Sequence, residues 1–372
     1  MEGENTVKKI KCAVIGCGWI GQLKHIAYLN KAENAELIAI CDIDVELMKR
    51  VKNDFGLNSV KEYTDYRELC ADPEVEAVHI CTPNAYHHDM AMCAIANGKH
   101  VFCEKPLATT SEDAFEMVEA AKEANVKLAL GHQRRFGTAV QYIRSMVDQG
   151  AMGEVYFGKA LDARRRGVPT WGAYMNKAEN GGGILFDGAP HSLDLTMYMM
   201  NNFRPVAVQG KSFSKMNYET AGNPWGAWDP SKCDVEDTGF ALITMENGAI
   251  IYLEAAWAIN MMGIANSSLI VGTKAGADLQ GPNGTARINT IVNDKMVTFS
   301  PEYPEMPNTE PYIGEAEASD AQMADWIDAI INDHEPFVQG KDGIPVVQII
   351  EAIYESSRTG ETVYITKHYH ED

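Results

Sequence analysis

The feature that most constrains the fold of this chain is a glycine-rich stretch near its start, Gly16-Cys17-Gly18-Trp19-Ile20-Gly21. A largely apolar run, Lys9–Ile15, leads into it, and apolar residues at helical spacing follow it. Only glycine lets the backbone turn this sharply and come close to a pyrophosphate at the N-terminus of a helix. The order strand, G-x-G-x-x-G, helix therefore predicts a unit that binds a dinucleotide. The expected cofactor contacts in this stretch are Gly16, Gly18, Trp19, Ile20 and Gly21.

The next apolar run indicates which dinucleotide is bound. Glu36–Cys41 reads as a strand that ends at Asp42, 21 residues after Gly21. A carboxylate at about this offset binds the hydroxyls of the adenosine ribose. No arginine follows directly, and the second acid at Asp44 would repel a 2′-phosphate, so the sequence favours NAD over NADP. A glycine-rich turn with a helix-capping aspartate is the alternative, but three features in the right order favour dinucleotide binding.

Strand-like and helical patterns alternate up to residue 130, which predicts an α/β domain with a parallel sheet. Polar residues follow the predicted strands at Asp42, at Thr82-Pro83-Asn84 and at Glu104-Lys105-Pro106. Ligands of parallel sheets bind at the carboxyl ends of the strands. We therefore expect these groups to converge on one edge of the sheet.

After Leu130 strand-like runs follow one another, which predicts an α+β domain with a mostly antiparallel sheet. The expected domains are 1–130 and 131–372. Glu246-Asn247-Gly248 is a hairpin signal, and Val292-Asn293-Asp294 is a weaker turn signal. The expected strands are 154–161, 204–210, 237–245, 248–258, 266–271, 286–291 and 295–300, and the expected closing helices are 319–332 and 344–357.

Composition limits the classes of partner. The net charge of the 372 residues is −20, which argues against nucleic acid and anionic membranes because both require a basic surface. The chain lacks the run of about 18 apolar residues that a membrane span needs, and the polar segment Met1–Lys9 is unlike a signal peptide. Seven of the eight cysteines lie in the first 103 residues without a C-x-x-C pair. We expect reduced core thiols, a cytoplasmic protein and a small-molecule ligand.

A second group of reactive residues follows Gly181-Gly182-Gly183. Asp187, His191 and Asp194 have the spacing i, i+4, i+7, which places them on one face of a helix. Pro190 is tolerated only in a first turn, so the helix should begin near Asp187. A capping aspartate and a structural histidine are the alternative. Two acids and a histidine beside a glycine run favour a functional site.

Two aromatic segments are candidates for contact with a substrate. Residues 161–172 contain Arg165 and Trp171, whose side chains can hydrogen-bond hydroxyls and stack on a sugar ring; a solvated charge run explains them equally well. Residues 222–230 could cover a pocket, although a packed loop is the simpler explanation. His87-His88-Asp89 looks like a metal pair, but adjacent residues point apart on a helix, so we expect no metal site.

These features, in this order, resemble the glucose–fructose oxidoreductase/inositol dehydrogenase family, Gfo/Idh/MocA. The matching motifs are Gly16-x-Gly18-x-x-Gly21, Asp42, Cys81-Thr82-Pro83-Asn84 with His87, Glu104-Lys105-Pro106, Arg134-Arg135-Phe136, and Gly182-Gly183 before Asp187, His191 and Asp194. The resemblance implies an N-terminal Rossmann domain and a C-terminal domain with an open, mostly antiparallel sheet that often forms a homodimer or homotetramer interface. It also implies hydride transfer between NAD(P) and a secondary alcohol of a sugar or cyclitol.

The resemblance further implies a role for each matching residue. The implied cofactor contacts outside the glycine stretch are Asp42, Thr82, Asn84, His87, Glu104 and Lys105, with Glu104 at the nicotinamide ribose. Lys105 and His191 would flank the reacting hydroxyl, and Asp187 would orient it. Arg134 and Asp194 would bind other hydroxyls, and Pro106 would follow a cis peptide bond.

Proton transfer needs a base, and His191 suits that role because a histidine pKa lies near neutrality. Lys105 would then stabilise the developing alkoxide. The reverse assignment stays open, because a desolvated lysine can itself act as a base. The two aromatic segments resemble a branch of the family associated with glycosides, including oxidation at carbon 3 of a hexose ring. Two other functions remain open: a glycosidase that oxidises its sugar transiently with NAD, and a non-catalytic NAD-binding regulator.

Overall fold

The computed structural model describes residues 8–261, 268–280, 285–302, 315–367 and 369. Parts of two sequence-based assignments, the segment Met1–Lys9 and the strand 266–271, lie outside the described residues. The chain splits into two compact units. The first comprises Met1–Ala108, Glu112–Gly131 and Ser319–Lys341, and the second comprises Thr109–Ser111, His132–Ala318 and Asp342–Asp372.

The first unit is built on a parallel sheet, which confirms the predicted Rossmann domain. Its strands are β1 (Ile10–Ile15), β2 (Ala35–Cys41), β3 (Lys61–Tyr63), β4 (Ala77–Ile80), β5 (His100–Cys103) and β6 (Leu128–Leu130). They lie in the order β3-β2-β1-β4-β5-β6, and every neighbouring pair is parallel. The order reverses between β1 and β4, and ligands of such sheets bind at this reversal.

The helices begin and end where the sequence provides caps. At the start of the helix Val45–Phe55, Asp44 accepts a hydrogen bond from the backbone N–H of Leu47 at 2.9 Å. Gly56 ends this helix with a φ of 69°, the left-handed conformation that glycine favours at a helix end. A π-helical turn, Gly21–Ile26, precedes α1 (Ala27–Leu29). The remaining helices are α2 (Val45–Phe55), α3 (Tyr66–Ala71), α4 (His87–Ala96), α5 (Ser111–Glu123), α6 (Thr138–Asp148), α7 (Lys177–Asn180), α8 (Ile184–Asp187), α9 (Ala189–Met200), α10 (Glu315–Ile331) and α11 (Ile344–Thr359).

Helix α10 comes late in the chain but packs with the first unit. Trp326 and Ile327 are fully buried in the core that also contains Phe102. The backbone N–H of Leu130 donates to the carbonyl of Val338 at 3.3 Å. From the sequence we assigned this segment to the second domain. Helical periodicity shows that a helix buries one face, but it does not show which sheet covers that face.

The second unit contains a nine-stranded sheet, and it confirms the predicted α+β domain. Its strands are β7 (Val155–Ala163), β8 (Pro205–Phe213), β9 (Thr238–Met245), β10 (Ile250–Ala256), β11 (Leu269–Gly272), β12 (Ala275–Gln280), β13 (Thr285–Val292), β14 (Lys295–Phe299) and β15 (Val363–Tyr364). They lie in the order β14-β13-β12-β11-β7-β10-β9-β8-β15. Only the β7–β10 pair is parallel among the described strands of this sheet.

The turns of this sheet explain which strands the sequence revealed. Gly248 has a φ of +85°, and the N–H of Met245 donates to the carbonyl of Ala249 at 2.8 Å, as expected for a hairpin between β9 and β10. Asn293 and Asp294 both have positive φ angles and join β13 to β14. Two strands were not expected from the sequence: β12, whose alanine and glycine residues carry little strand propensity, and β15, which is only two residues long.

No helix within these described ranges combines the length and the apolarity that crossing a membrane requires.

The burial of α10 gives the first prediction. Replacing Ile327 with Ala should lower the free energy of unfolding by about 2–5 kcal/mol, because it leaves a cavity in a fully buried position. Ile331, one turn later, is only half-buried, so Ile331→Ala serves as the matched control and should cost less than half as much. Denaturant unfolding of both variants measures the difference. Equal losses would contradict the packing described for α10.

Candidate active site

The three glycines of the glycine stretch have different surroundings. Gly16 has a φ of +94°, and a Cβ there would lie 2.7 Å from the carbonyl of Cys81. A Cβ on Gly21 would overlap the carbonyl oxygen of Gly16. A Cβ on Gly18, by contrast, would meet no atom within 4 Å. The fold therefore needs two of the glycines, and the third leaves open space at the start of the helix, where motifs of this kind bind a pyrophosphate.

Asp42 lies at the end of β2 and is held in place by backbone groups. One carboxylate oxygen accepts from the N–H of Cys17 at 2.8 Å, and the other accepts from the N–H of Asp44 at 2.9 Å. The neighbouring Ile43 is 91% exposed. A carboxylate anchored beside the glycine stretch, at the end of the adjacent strand, has the chemistry and the place expected for binding ribose hydroxyls.

His87, which we expected to contact the cofactor, makes two internal contacts. It is buried, and its Nδ1 lies 2.8 Å from the carbonyl oxygen of Pro106 while its Nε2 lies 3.0 Å from that of Thr82. Burial lowers the pKa of the imidazole below its usual value, and the two carbonyl groups oppose that shift. The contacts indicate that His87 ties the strand end at Thr82 to the turn after β5, in which the Lys105–Pro106 peptide bond is cis. Asn84 is also buried, at the start of the short 3₁₀ turn Asn84–Tyr86.

Glu104 ends β5 as a buried carboxylate. Its Oε1 lies 3.8 Å from the Nζ of Lys24, and the backbone N–H of Lys105 is 3.3 Å from its Oε2. Burial alone would raise the pKa of the Glu104 carboxyl, but the charge of Lys24 and a hydrogen bond from His25 lower the pKa well below its usual range. A negative charge is therefore held at this strand end, beside the half-buried Lys105.

In the second unit, helix α9 presents His191 from an otherwise buried element. Every other residue of α9 is buried, and His191 alone on that helix is half-exposed. Asp187 is also half-exposed, in the short helix α8 that leads into α9 through Gly188. The Nε1–H of Trp257 donates to Asp187 at 2.7 Å and fixes the carboxylate. The helical region thus begins at Ile184 rather than near Asp187.

Glu236 and Tyr354, which the sequence did not single out, hold the start of this helical region. The Glu236 carboxylate accepts hydrogen bonds from the N–H groups of Gly183 and Leu185 at 2.9–3.0 Å. A Cβ on Gly182 would overlap the hydroxyl of Tyr354, and a Cβ on Gly183 would overlap the carbonyl oxygen of Glu236. Burial raises the pKa of Glu236, and these backbone donors oppose the shift. In the sequence, the acidic run Asp234–Asp237 before a strand could have pointed to Glu236.

The Asp162 carboxylate packs against Gly188, the residue between α8 and α9. A Cβ on Gly188 would lie 2.9 Å from its carboxyl carbon. The carboxylate is buried and lies 3.5 Å from both Arg134 and Arg164. The structure therefore brings the predicted Arg134 close to the helix that carries His191. It places Arg164 there as well, whereas the predicted Arg165 is exposed.

Asp194, which we expected to contact the substrate, is paired with Arg135. It is buried, and the guanidinium of Arg135 donates to both of its carboxylate oxygens. Arg135 also donates to Asp342 at 2.9 Å. These contacts favour a structural role for Asp194, in which it anchors α9 to the segment of Arg135. Helical spacing does not show whether an acidic residue faces a ligand or pairs with a buried arginine.

The two aromatic segments pack against each other. The rings of Trp171 and Trp225 meet edge to face with centroids 5.0 Å apart. Asn223 accepts from the N–H of Val168 and donates to its carbonyl, at 3.0 and 3.1 Å. The guanidinium of Arg164 lies 5.6 Å from the centre of the Trp225 ring. The segments therefore form one surface, connected to Asp162 through Arg164.

Cysteine chemistry does not contribute to these sites. All eight cysteines are free, and burial raises the pKa of Cys17, Cys81 and Cys103 above the usual thiol value. A thiol that stays protonated is a poor nucleophile. On the surface, His88 lies 3.1 Å from Glu116 and 3.2 Å from Asp89, as ordinary exposed ion pairs do.

Sequence comparisons cover nearly all of the chain. Residues 10–132 match a model described as "Oxidoreductase family, NAD-binding Rossmann fold", and residues 144–365 match its companion, "Oxidoreductase family, C-terminal alpha/beta domain". A relative named D-glucoside 3-dehydrogenase, from Escherichia coli K12, is 31% identical over 370 residues. That alignment covers 98% of this chain and 99% of the relative.

Solved structures share the fold. An aldose–aldose oxidoreductase from Caulobacter crescentus, crystallised with glycerol, has a TM-score of 0.79 and 25% identity, over 96% of this chain and 100% of that chain. A levoglucosan dehydrogenase in complex with NADH has a TM-score of 0.81 and 23% identity, over 97% of this chain and 100% of that chain. At 23% identity the second likeness shows the fold alone.

The unequal demands on the glycines give a prediction. Gly18→Ala should keep the melting temperature close to that of the wild type while weakening NAD binding at least tenfold, because the methyl group enters the space left for the cofactor. Gly21→Ala, the matched control, should lower the melting temperature because its Cβ overlaps a backbone carbonyl. Differential scanning calorimetry and isothermal titration with NAD measure both effects. Unchanged NAD affinity in Gly18→Ala would contradict the assignment.

Proposed function

The chain belongs to the Gfo/Idh/MocA family of NAD-binding oxidoreductases, and on that premise we propose that it oxidises a secondary hydroxyl of a sugar or glycoside with NAD. Family membership makes it a dehydrogenase acting on CH–OH groups, with NAD as cofactor. The observation that carries the finer proposal is the pair Asp187 and His191. Asp187, at the end of α8, and His191, in the first turn of α9, are both half-exposed; the other residues of α9 are buried, and Trp257 fixes the aspartate.

The first unit has the groups that dinucleotide binding needs. When bound, NAD supplies the acceptor for the hydride. Gly18 leaves space for the pyrophosphate, Asp42 offers an anchored carboxylate to the adenosine ribose, and Glu104 offers a second one at the end of β5. Trp19 and Ile20, inside the glycine stretch, are the first helical residues after β1. We assign them, with Thr82 and Asn84, to the walls of the cofactor site.

The catalytic roles follow from the chemistry of removing a hydride from an alcohol. The hydroxyl must lose a proton as the hydride leaves, and His191 is our choice of base because a histidine pKa lies near neutrality. The Asp187 carboxylate, held by Trp257, would orient the hydroxyl and the imidazole. The Lys105 ammonium would stabilise the developing alkoxide. Exchange of the roles of Lys105 and His191 remains the competing assignment.

A glycoside is the substrate class that the observations favour. The relative with full-length coverage is named for D-glucosides. The joined surface of Trp171 and Trp225 offers aromatic rings of the kind that stack on pyranose faces. Arg134 is placed beside Asp162, next to the helix of His191, where its guanidinium can donate to hydroxyls. The exposed Arg165 is the more peripheral candidate.

A substrate panel tests the proposal. The purified protein is incubated with NAD and with inositols, free hexoses and methyl or aryl hexosides, and NADH formation is followed by its absorbance. Steady NADH formation with the hexosides supports the proposal. Cleavage of an aryl glycoside without net NADH would instead establish a glycosidase with transient oxidation. NAD binding without either product would establish a non-catalytic protein.

Replacement of Lys105 separates catalysis from binding. Lys105→Ala should lower kcat at least a hundredfold, because the developing alkoxide loses its ammonium partner, while NAD still binds. His88→Ala removes a half-exposed histidine of the same unit and should leave kcat unchanged. Steady-state kinetics and NAD titration provide the two readings. Intact turnover in Lys105→Ala would refute the assigned role.

We also infer that the uncovered face of the second sheet associates with another copy of the chain. Leu242, Tyr252, Lys159 and Leu269 form one cross-strand row. Leu242 is 50% exposed and the other three are half-exposed. The adjacent row on the opposite face, which includes Gly158 against Met200, is buried under α9. Exposed apolar residues across several strands are typical of a homo-oligomer interface.

This inference predicts the oligomeric state. The wild type should be a dimer or tetramer, and Leu242→Glu should shift it toward the monomer because it replaces the most exposed apolar residue of the row with a charge. Lys49→Glu, on the surface of the first unit, should not change the mass. Sedimentation equilibrium measures the distribution. A monomeric wild type would refute the inference.

A further inference from the structure

A chain of four hydrogen-bonded side chains crosses the interior of the first unit and ends at Glu104. The Trp326 Nε1 lies 3.3 Å from the Nε2 of His79. The Nδ1 of His79 lies 2.9 Å from the Nδ1 of His25, and the Nε2 of His25 lies 3.1 Å from the Glu104 carboxylate. Trp326, His79 and His25 are 0% exposed, and Glu104 is 6% exposed. The proposed function uses Glu104 but leaves the other three without a role.

The Trp326 end of this series of hydrogen bonds determines both histidine tautomers. An indole N–H can only donate, so the Nε2 of His79 must be an acceptor and its proton must be on Nδ1. That Nδ1–H then donates to the Nδ1 of His25, which must be unprotonated. The remaining proton of His25 is therefore on Nε2, directed at Glu104.

The carboxylate end requires the same arrangement. An ionised carboxylate can only accept, so it needs a proton on the Nε2 of His25. A second proton on either imidazole would place two donors face to face along the chain. Both histidines are accordingly neutral, and burial lowers the pKa of each, although Glu104 opposes the shift at both. The stacking of His79 on Phe102, with centroids 5.4 Å apart, holds the ring plane.

The sheet order indicates what Glu104 is held for. A dinucleotide lies across the reversal between β1 and β4, with its adenosine half toward β2, where Asp42 is anchored. Glu104 ends β5, on the far side of the reversal, so it lies toward the nicotinamide half. Lys24 and His25, which contact Glu104, belong to the π-helical turn that follows the glycine stretch.

We propose that His25 and His79 are positioning residues that keep Glu104 as an oriented carboxylate for the nicotinamide-ribose half of NAD. The inference rests on the proposed use of NAD. The carboxylate is confined from the other side as well, because a Cβ on Gly131 would lie 2.7 Å from its Oε2. Removing the His25 donor would leave a buried carboxylate without that hydrogen bond, which costs more than the bond contributes, so Glu104 would reorient toward Lys24 or solvent.

A comparison of two ligands tests this role. NAD carries the nicotinamide ribose and ADP lacks it, while both share the adenosine and the two phosphates. His25→Leu should weaken NAD binding at least tenfold and change ADP binding less than threefold. His25→Gln, the matched variant whose amide N–H can still reach Glu104, should keep NAD affinity within threefold of the wild type. Isothermal titration calorimetry measures both ligands.

The outcomes separate this inference from its premise. If the wild type itself does not bind NAD, the proposed function fails. If the wild type binds NAD but His25→Leu binds both ligands normally, or loses both equally, the positioning role is overturned. Equal loss would mean that the substitution damages the fold generally.

A spectroscopic measurement on the wild type does not depend on any variant of His25 folding. In ¹⁵N-histidine NMR, one buried ring should be protonated at Nδ1 only and a second at Nε2 only. Trp326→Phe, which removes the indole donor, should shift the resonances of the Nδ1-protonated ring and thereby identify His79. The reversed tautomers, or an imidazolium at either position near neutral pH, would overturn the proposal.

Discussion

The backbone contacts of Gly16 and Gly21 set the position of nearly everything in the first unit. Gly16 lies against the carbonyl of Cys81 at the end of β4, and Gly21 lies against the carbonyl of Gly16. Any side chain at these points would push the helix after β1 away from the sheet. The helix carries Lys24 and His25, which reach Glu104 only because the helix packs this closely. The open space at Gly18 and the position of the groups that pair with Glu104 therefore both depend on the contacts of Gly16 and Gly21.

Charged groups inside both units are held by specific donors. Glu104 has Lys24 and His25, Asp187 has the indole of Trp257, and Glu236 has two backbone N–H groups. Burying a carboxylate costs on the order of several kcal/mol unless it is paired. These partners therefore offset the cost of burial, and they also restrict the orientation of each carboxylate. The groups that we assign to chemistry, Asp187 and His191, are the ones left half-exposed.

Much of the architecture could be predicted because it depends on local pattern. The parallel sheet follows from strand and helix alternation, and the hairpin at Gly248 follows from a positive φ that glycine favours. Strand β12 has little propensity and forms because β11 and β13 pair with it. Helix α10 was found, but its packing partner was not, since an apolar face fits any apolar surface. The same limit applied to Asp194, whose place on a helix was predicted while its partner, Arg135, came from 59 residues away.

The residue order alone was enough to establish the dinucleotide-binding motif, the two kinds of sheet, and the candidate groups Asp42, Glu104, Lys105, Asp187 and His191, because these depend on short spacings and on strand ends. Only the folded chain showed which of the predicted site residues are engaged in internal contacts. His87 and Asp194 are committed to internal contacts, and Trp257, Glu236, His25 and His79 became visible as their supports. Hydrogen-bond partners far apart in sequence leave no local pattern, and in a buried site such partners determine the charge and orientation of each group.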